Sequence, residues 1–440
     1  MSRRNLELAF LVLAGAVSTM AYVSVYAGRF REINSVSIVY GLVFVGIFLL
    51  LHVLMRVLLP QADPFLLPIT ALLAAIGLTE IFRIRPSLAL TQGQWLLVGA
   101  GLFILTVLLV RDHMKLDRYR YLIGAVGLAL LVVTIVLGTT INGAKLWIQA
   151  FGFSIQPSEF AKLAIVIFLA GYLDDKKVLL SVPTRHVLGV PLPAAKYFGP
   201  LLVMWIFSLA MLVFMKDFGM ALLFMSIFVA LMYMATARIV YVVAGFGLFA
   251  AAAAIAVAVV PHVQDRFSVW LDPWPYAATT GYQLLQSLFT LADGGIVGAG
   301  FGRGFLLYTN RQPVVPDLQT DFIFTAIANE MGLIGAAGVI LVYLLFVWRG
   351  FRIAVYAPDG FSKLLAAGLA TAFALQTFII IGGVTRLIPL TGITLPFVSY
   401  GGSSITANLM LVALLLMVSN RSNIIRGGSD LERRRLAERG

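Results

Sequence analysis

Long apolar runs alternate with short polar segments along most of the chain. Most runs approach the ~20 residues that a helix needs to cross the ~30 Å hydrocarbon core of a bilayer. About twelve spans are predicted, at residues 7–27, 36–59, 63–82, 94–110, 121–138, 159–173, 199–215, 219–235, 239–260, 321–347, 363–384 and 399–419. The sixth to eighth are short, which indicates tilted or broken helices. The pattern therefore predicts an all-α polytopic membrane protein.

Composition agrees with this class. Hydrophobic residues make up 60% of the 440 positions and charged residues only 12%, a balance that no water-soluble domain of this size could solvate. The net charge of +12 is expected to face anionic membrane lipids rather than nucleic acid, because the chain has no basic repeat or RNA-binding motif. The chain has no cysteine and its four histidines are far apart, so a metal ion would need carboxylate ligands.

The distribution of lysine and arginine predicts the orientation. If the N-terminus is cytoplasmic, the internal segments hold most of these residues, including Arg3, Arg349 and the arginines of the tail. The positive-inside rule then places both termini in the cytoplasm. Acidic residues such as Asp217 and Asp321 fall outside the spans or near their outer ends. Any chemistry is therefore expected at the outer face.

The spans divide the chain into three parts. Residues 1–60 form a two-helix N-terminal extension, residues 61–420 form the main membrane domain, and residues 421–440 form a basic tail. That tail is either solvated and disordered or bound to anionic lipid. Within the main domain, segment 261–320 is far longer than the usual connection of ~4–6 residues. Helical spacing at 282–289 and aromatic residues up to Tyr308 predict that this external segment is ordered.

Charged residues near the membrane are costly and indicate function. Glu159 and Lys162 are three residues apart, so they share a helix face and are predicted to pair. The pair is either structural, or Lys162 is a substrate-binding cation that Glu159 holds until the ligand arrives. Lys216 and Asp217 lie in an outward hairpin, which is either a solvated turn or part of a site.

Two further positions carry candidate chemistry. Asp321 opens a long span directly after the external segment, where it is expected in the first helical turn with Thr320 as a cap. A catalytic acid and a simple capping acid look alike at such a position. The run from Ser399 to Ser404 starts the last span, and its hydroxyls and backbone N–H groups suit either an anion such as phosphate or close helix packing.

These motifs together resemble the SEDS family (shape, elongation, division, sporulation) of polytopic peptidoglycan glycosyltransferases. The resemblance covers about residues 64–421 and rests on segments 143–147, 156–162, 216–219, 281–287, 294–295, 320–323 and 390–404. Within the family, the chain is similar to the RodA-like elongation members, especially their actinobacterial form. Segment 382–389 and two extra spans ahead of a ten-span core support this subtype.

The resemblance implies a site and a substrate. Asp321 matches the family's catalytic carboxylate, and Lys162 and Glu159 would line the same cavity. Further substrate-binding residues are expected among Trp147, Asp217, Arg266, Gln283, Arg303, Ser399 and Ser403. The implied substrate is lipid II, an undecaprenyl-diphosphate-linked disaccharide pentapeptide in the outer leaflet of the bacterial cytoplasmic membrane.

The implied reaction joins sugars by β-1,4 bonds. It needs a base for the acceptor 4-hydroxyl and a cation for the leaving diphosphate. Lys162 is the first choice for the cation, with Arg266, Arg303 and Arg311 of the external segment as further candidates. Mg²⁺ or Mn²⁺ shared between Asp321 and the diphosphate is another option. The expected partner is a class B penicillin-binding protein with transpeptidase activity. A lipid II flippase and an FtsW-type division polymerase are the alternatives, whereas a secondary transporter is disfavoured because the chain shows no repeated halves.

Overall fold

The computed structural model describes residues 3–30, 35–141, 144–150, 152–181, 185–187, 190–192, 199, 202–203, 206–207 and 210–437. The long helices in this part of the chain are α1 (Arg3–Phe30), α2 (Ser35–Leu58), α3 (Leu66–Ile84), α4 (Pro86–Val110), α6 (Arg120–Leu137), α7 (Pro157–Ser181), α8 (Phe218–Thr236), α9 (Ile239–Val259), α12 (Ile323–Val355), α13 (Gly360–Val384) and α14 (Gly402–Ala437). Three shorter helices are α5 (Met114–Arg118), α10 (Pro261–Leu271) and α11 (Tyr282–Gly294).

Ten helices in the described ranges are long and apolar enough to cross a membrane. They are all the long helices except α7, and they confirm the predicted polytopic helical class. Helix α7 is excluded because charged residues near both of its ends shorten its apolar run. It is nevertheless a 25-residue helix and covers the predicted span 159–173. The predicted span 199–215 lies partly outside the described residues and ends in a π-helical turn at Met211–Met215.

Two features differ from the sequence prediction. Short antiparallel strands occur as β1 (Thr139–Ile141), β2 (Ala144–Ala150) and β3 (Phe153–Ile155) in one sheet, and as β4 (Arg185–Val187) and β5 (Val190–Leu192) in another. They are too short for their alternation to stand out against the apolar runs. The tail is helical to Ala437 rather than disordered, since its Leu, Glu, Arg and Ala residues favour a helix.

The centre of the bundle is built from α3, α8, α13 and α14. The membrane window of α14 is 94% buried, whereas that of α9 is only 17% buried although α9 is apolar throughout. An apolar helix that is exposed in this way presents its surface to lipid. Helix α14 packs along α4, and α13 packs against α7, α8 and α12. The polar starts of α8, α12 and α14 are thereby brought to one end of the bundle, which we call the outer end.

Helix α12 is broken near this end. Gly332 has φ 67° and ψ −172°, a backbone conformation that side-chain-bearing residues rarely adopt. At the break, the carbonyl oxygens of Asn329 and Glu330 accept hydrogen bonds of 3.0 and 2.9 Å from the backbone N–H groups of Ala299 and Gly300. The predicted external segment 261–320 is thus anchored to α12, and it is ordered as expected, with α10 and α11 inside it.

Candidate active site

Asp321 lies in the turn that joins the external segment to α12. The backbone N–H groups of Thr320 and Asp321 both donate to the carbonyl oxygen of Asp317, at 3.0 and 3.2 Å. The helix begins at Ile323, and no side chain caps it. The expectations that Asp321 occupies the first helical turn and that Thr320 caps it are therefore wrong, because the tight turn from Asp317 holds both residues ahead of the helix. Asp321 has no capping role, and its side chain remains partly accessible.

The segment 390–394 faces this carboxylate. Gly392 has φ 72°, and a β-carbon at this position would lie 3.6 Å from Asp321 Oδ2 and 3.6 Å from Arg266 Nη2. Arg266, from α10, is fixed by donating from Nη1 to the carbonyl oxygens of Leu390 and Thr391, at 3.2 and 2.9 Å. An acid and a guanidinium therefore both lie beside Gly392, where the lack of a side chain leaves room next to each of them.

A second acid, Asp217, interacts electrostatically with Arg266. Asp217 caps α8, where its Oδ1 accepts a hydrogen bond of 2.9 Å from the backbone N–H of Met220. Its Oδ2 is buried and has no partner among the described residues. The hairpin is therefore not a fully solvated turn, since Asp217 is only 4% exposed.

The charges of this group act on one another. Burial raises the pKa of Asp321 to about 7; the nearby charge of Asp317 adds to the effect and Arg266 opposes it. Burial likewise raises the pKa of Asp217 to about 6, again opposed by Arg266. Burial lowers the pKa of Arg266, while Asp217 and Asp321 counteract that change. A carboxylate with a pKa near neutrality is suited to exchange a proton with a substrate hydroxyl.

Unsatisfied polar atoms surround the same turn. Within the described residues, Asp217 Oδ2, Gln319 Oε1 and Thr391 Oγ1 are buried without a hydrogen-bond partner. Gln319 lies two residues before Asp321, and Thr391 directly precedes Gly392. Buried polar groups are normally paired, because leaving one unpaired costs roughly 1–3 kcal/mol. Their grouping here indicates that a polar ligand or water completes the site.

Lys162 and Glu159 form the predicted ion pair, with Nζ 2.7 Å from Glu159 Oε2. Lys162 Nζ also donates to Gln376 Oε1 at 2.6 Å. Gln376 Nε2 in turn donates to Glu159 Oε1 and to the carbonyl oxygen of Thr394, at 3.3 and 3.0 Å. All three side chains are buried, so this network supports the 390–394 segment from within the bundle.

Sequence reasoning missed Gln376. A glutamine inside an apolar span is itself a signal, because such a residue needs a partner. Whether Lys162 contacts a substrate stays a prediction, since its ammonium is enclosed by protein groups in this structure.

The two predicted serines hold the turns of the site together. Ser399 Oγ accepts from the backbone N–H of Leu395 at 2.9 Å and donates to the carbonyl oxygen of Thr320 at 2.5 Å. Ser403 Oγ accepts from the backbone N–H of Gln156 at 2.8 Å. Both serines are buried, so their predicted contact with substrate stays a prediction while their structural contacts are established.

The remaining predicted residues lie further along the external face. Gln283 Nε2, on α11, donates to the carbonyl oxygen of Pro316 at 2.8 Å, which ties α11 to the chain just before Asp317. Arg303 is exposed on the loop anchored to α12. Trp147 lies opposite Thr139 in the β1–β2 pair, and its carbonyl oxygen accepts a hydrogen bond from that threonine. Within the part of the chain that the structure describes, neither Trp147 nor Arg303 contacts Asp321.

A metal site of several protein ligands is not found in the described ranges: no group of three or more histidine, aspartate or glutamate side chains is placed to hold an ion. Asp321 is the accessible carboxylate of the cluster. Magnesium commonly binds through one or two carboxylates together with substrate phosphates. The residues present are compatible with that mode, with the substrate supplying most of the ligands.

The fold and this cluster define a class: a polytopic helical membrane protein with an acid, an arginine and a second acid at its outer end. The chain belongs to the cell cycle protein family of FtsW, RodA and SpoVE, whose family model matches residues 65–424. It is 42% identical over 432 residues to the peptidoglycan glycosyltransferase RodA of Mycobacterium tuberculosis, covering 95% of this chain and 91% of that one. At 95% coverage that match extends beyond 65–424 into the N-terminal helical region.

Solved structures share the fold. RodA of Thermus thermophilus has a TM-score of 0.56 at 25% identity and covers 81% of this chain and 96% of its own. A chain from a peptidoglycan synthase complex has a TM-score of 0.65 at 24% identity, with 82% and 98% covered.

Proposed function

We propose that the protein is a peptidoglycan glycosyltransferase of the elongation type, which polymerises lipid II into β-1,4-linked glycan at the outer face of the bacterial cytoplasmic membrane. The observation that carries this proposal is that Asp321 and Arg266 both lie beside Gly392. Family membership and 42% identity to a mycobacterial RodA support the activity and the elongation role.

The geometry supports a base-assisted displacement. Asp321 takes the proton of the acceptor 4-hydroxyl, and the oxygen attacks the anomeric carbon of the donor from the face opposite the diphosphate. The bond between that carbon and the diphosphate oxygen breaks, and the lipid diphosphate leaves with the electron pair. Attack from the opposite face converts an α-linked donor into a β-linked product. A base with its pKa near the working pH suits this transfer.

Arg266 is the group best placed to stabilise the leaving diphosphate. It shares the space over Gly392 with Asp321, and its guanidinium is preorganised by two backbone carbonyls. Preorganised cations stabilise charge that grows in a transition state, and arginine binds phosphate oxygens in a fork geometry. A divalent ion such as Mg²⁺ or Mn²⁺, held by Asp321 and the diphosphate, would supply further charge stabilisation.

The membrane orientation and the partner protein are also part of the proposal. We place both termini in the cytoplasm because lysine and arginine are concentrated on the segments of that side. We also propose that a class B penicillin-binding protein crosslinks the product. The synthase complex with a similar chain is described as coordinating polymerization and crosslinking, which agrees with such a partner.

The test is polymerisation by purified protein and its partner. Wild type, Asp321→Asn and the control Asp293→Asn are incubated with labelled lipid II and Mg²⁺, and glycan ladders are read on a gel. Asp293 is exposed on α11, so its variant should retain the ladders. We expect ladders from wild type and the control and none from a folded Asp321→Asn protein. Equal ladders from all three would refute Asp321 as the base. Lipid translocation without ladders in any sample would favour the flippase.

A further inference from the structure

A basic pocket lies at the end of α12 that is opposite Asp321. Its cavity is about 500 Å³, and it lies between α1, the start of α3, the end of α12 and α14. Four arginines line it, namely Arg3, Arg349, Arg352 and Arg426, together with a single carboxylate among the described lining residues, Asp63. The pocket therefore has an excess of positive charge.

Three of these arginines lie against aromatic rings. Arg349 pairs with Asp63 and lies 4.4 Å from the centre of the Phe65 ring. Arg352 lies 5.8 Å and Arg426 4.1 Å from the centre of the Tyr356 ring. Arginine stacked on an aromatic ring still presents its N–H groups at the edge, where they can bind a planar or tetrahedral anion.

An apolar groove opens directly from this pocket. It has a cavity of about 630 Å³ between α1, α3 and α12, and it shares Phe65, Arg349 and Arg352 with the basic pocket. A second apolar cavity of about 580 Å³ continues it and shares Val17, Leu72 and Val342. Along α1 the two cavities extend from Phe10 to Ser24, a rise of roughly 21 Å by helix geometry. The groove therefore runs along about two thirds of the ~30 Å hydrocarbon core of a bilayer.

We propose that an anionic phospholipid binds here, with its headgroup phosphate in the basic pocket and an acyl chain in the groove. The positive charge of the pocket favours a headgroup whose phosphate is not neutralised by a cation of the same headgroup. The continuous apolar groove favours a lipid over a soluble phosphate. A partner's apolar helix would fill the groove but would bring no anion to Arg3 and Arg352. Helix α1 forms one wall, so the site gives the N-terminal extension a role. This inference is independent of the proposed catalysis.

The headgroup is tested with the purified full chain in neutral detergent, titrated with dioleoyl phosphatidylglycerol or dioleoyl phosphatidylcholine and read by native mass spectrometry. We expect tighter binding of phosphatidylglycerol, and a loss of about tenfold in the Arg352→Gln and Arg426→Gln double variant, as for one lost charge-assisted hydrogen bond. Arg118→Gln is the control, because Arg118 lies 5.9 Å from the Tyr119 ring but outside the pocket. Equal binding of both lipids, or no effect of the double variant, overturns the proposal.

The groove is tested by filling it. Val17 lines both apolar cavities and is 43% exposed, whereas Val53 on α2 is 57% exposed and lines neither. Val17→Trp should weaken phosphatidylglycerol binding severalfold and Val53→Trp should not. Soluble glycerol phosphate should fail to compete at the concentrations at which the lipid binds. Competition by glycerol phosphate, or full binding by Val17→Trp, would mean that the pocket takes a free phosphate and no acyl chain, which contradicts the proposal.

Discussion

The hydroxyl of Ser399 donates a hydrogen bond of 2.5 Å to the carbonyl oxygen of Thr320, the residue directly before Asp321. The same oxygen atom of Ser399 accepts from the backbone N–H of Leu395 at 2.9 Å. One buried side chain therefore connects the turn of the proposed base to the 390–401 segment that faces it. The position of Asp321 depends on the start of α14 as well as on its own turn.

Ser399→Ala should lower the polymerisation rate through this connection. We expect kcat to fall about tenfold and KM to change little, because the variant displaces the base without removing a substrate contact. The measurement is the initial rate of lipid II consumption at several substrate concentrations. Ser422→Ala is the control, since Ser422 is also buried and its hydroxyl donates to the carbonyl oxygen of Val418 of its own helix, its one partner within the described ranges. A change confined to KM would show that Ser399 binds substrate instead.

The polymerisation rate should rise with pH. A base acts in its deprotonated form, and the pKa of Asp321 is raised to about 7, so the rate should increase across neutrality. Arg266 lowers that pKa, so Arg266→Gln should move the rise to higher pH and reduce the rate at neutral pH. The measurement is kcat/KM between about pH 6 and about pH 9. A profile that is unchanged in Arg266→Gln would contradict the coupling of the two charges.

The sequence could predict the helical spans and the separate motifs but not how the motifs meet. Apolar periodicity is a local signal, so the approximate positions of most long helices and the Glu159–Lys162 pair follow from spacing, whereas the exact helix ends do not. The contact of Asp321 with the Gly392 region joins positions far apart in the chain, and only the packing of α10, α12 and segment 390–394 creates it. The pairing of Gln376 with Lys162 and the orphaned Thr391 hydroxyl likewise depend on packing between distant segments.

Gly392→Ala should abolish polymerisation, whereas its effect on thermal stability should be smaller. The methyl group would lie 3.6 Å from both Asp321 Oδ2 and Arg266 Nη2, in the space proposed for the reacting groups. The left-handed backbone conformation adds about 1–2 kcal/mol of strain for alanine. Gly152→Ala is the matched control, because Gly152 has φ 79° and nothing within 4 Å of the added carbon. Thermal unfolding and glycan ladders are measured for both. Equal activity in the two variants would show that strain alone matters.

Lys162→Met should destabilise the protein because it leaves Glu159 buried without its cation. Removing one partner of a buried ion pair typically costs about 3–5 kcal/mol, whereas replacing both is often tolerated. Adding Glu159→Gln to Lys162→Met should therefore recover much of the lost thermal stability in detergent. Activity of this stable double variant then separates the two interpretations of Lys162. Retained glycan ladders would assign it a structural role beneath segment 390–394, and lost ladders in a stable protein would assign it to the substrate.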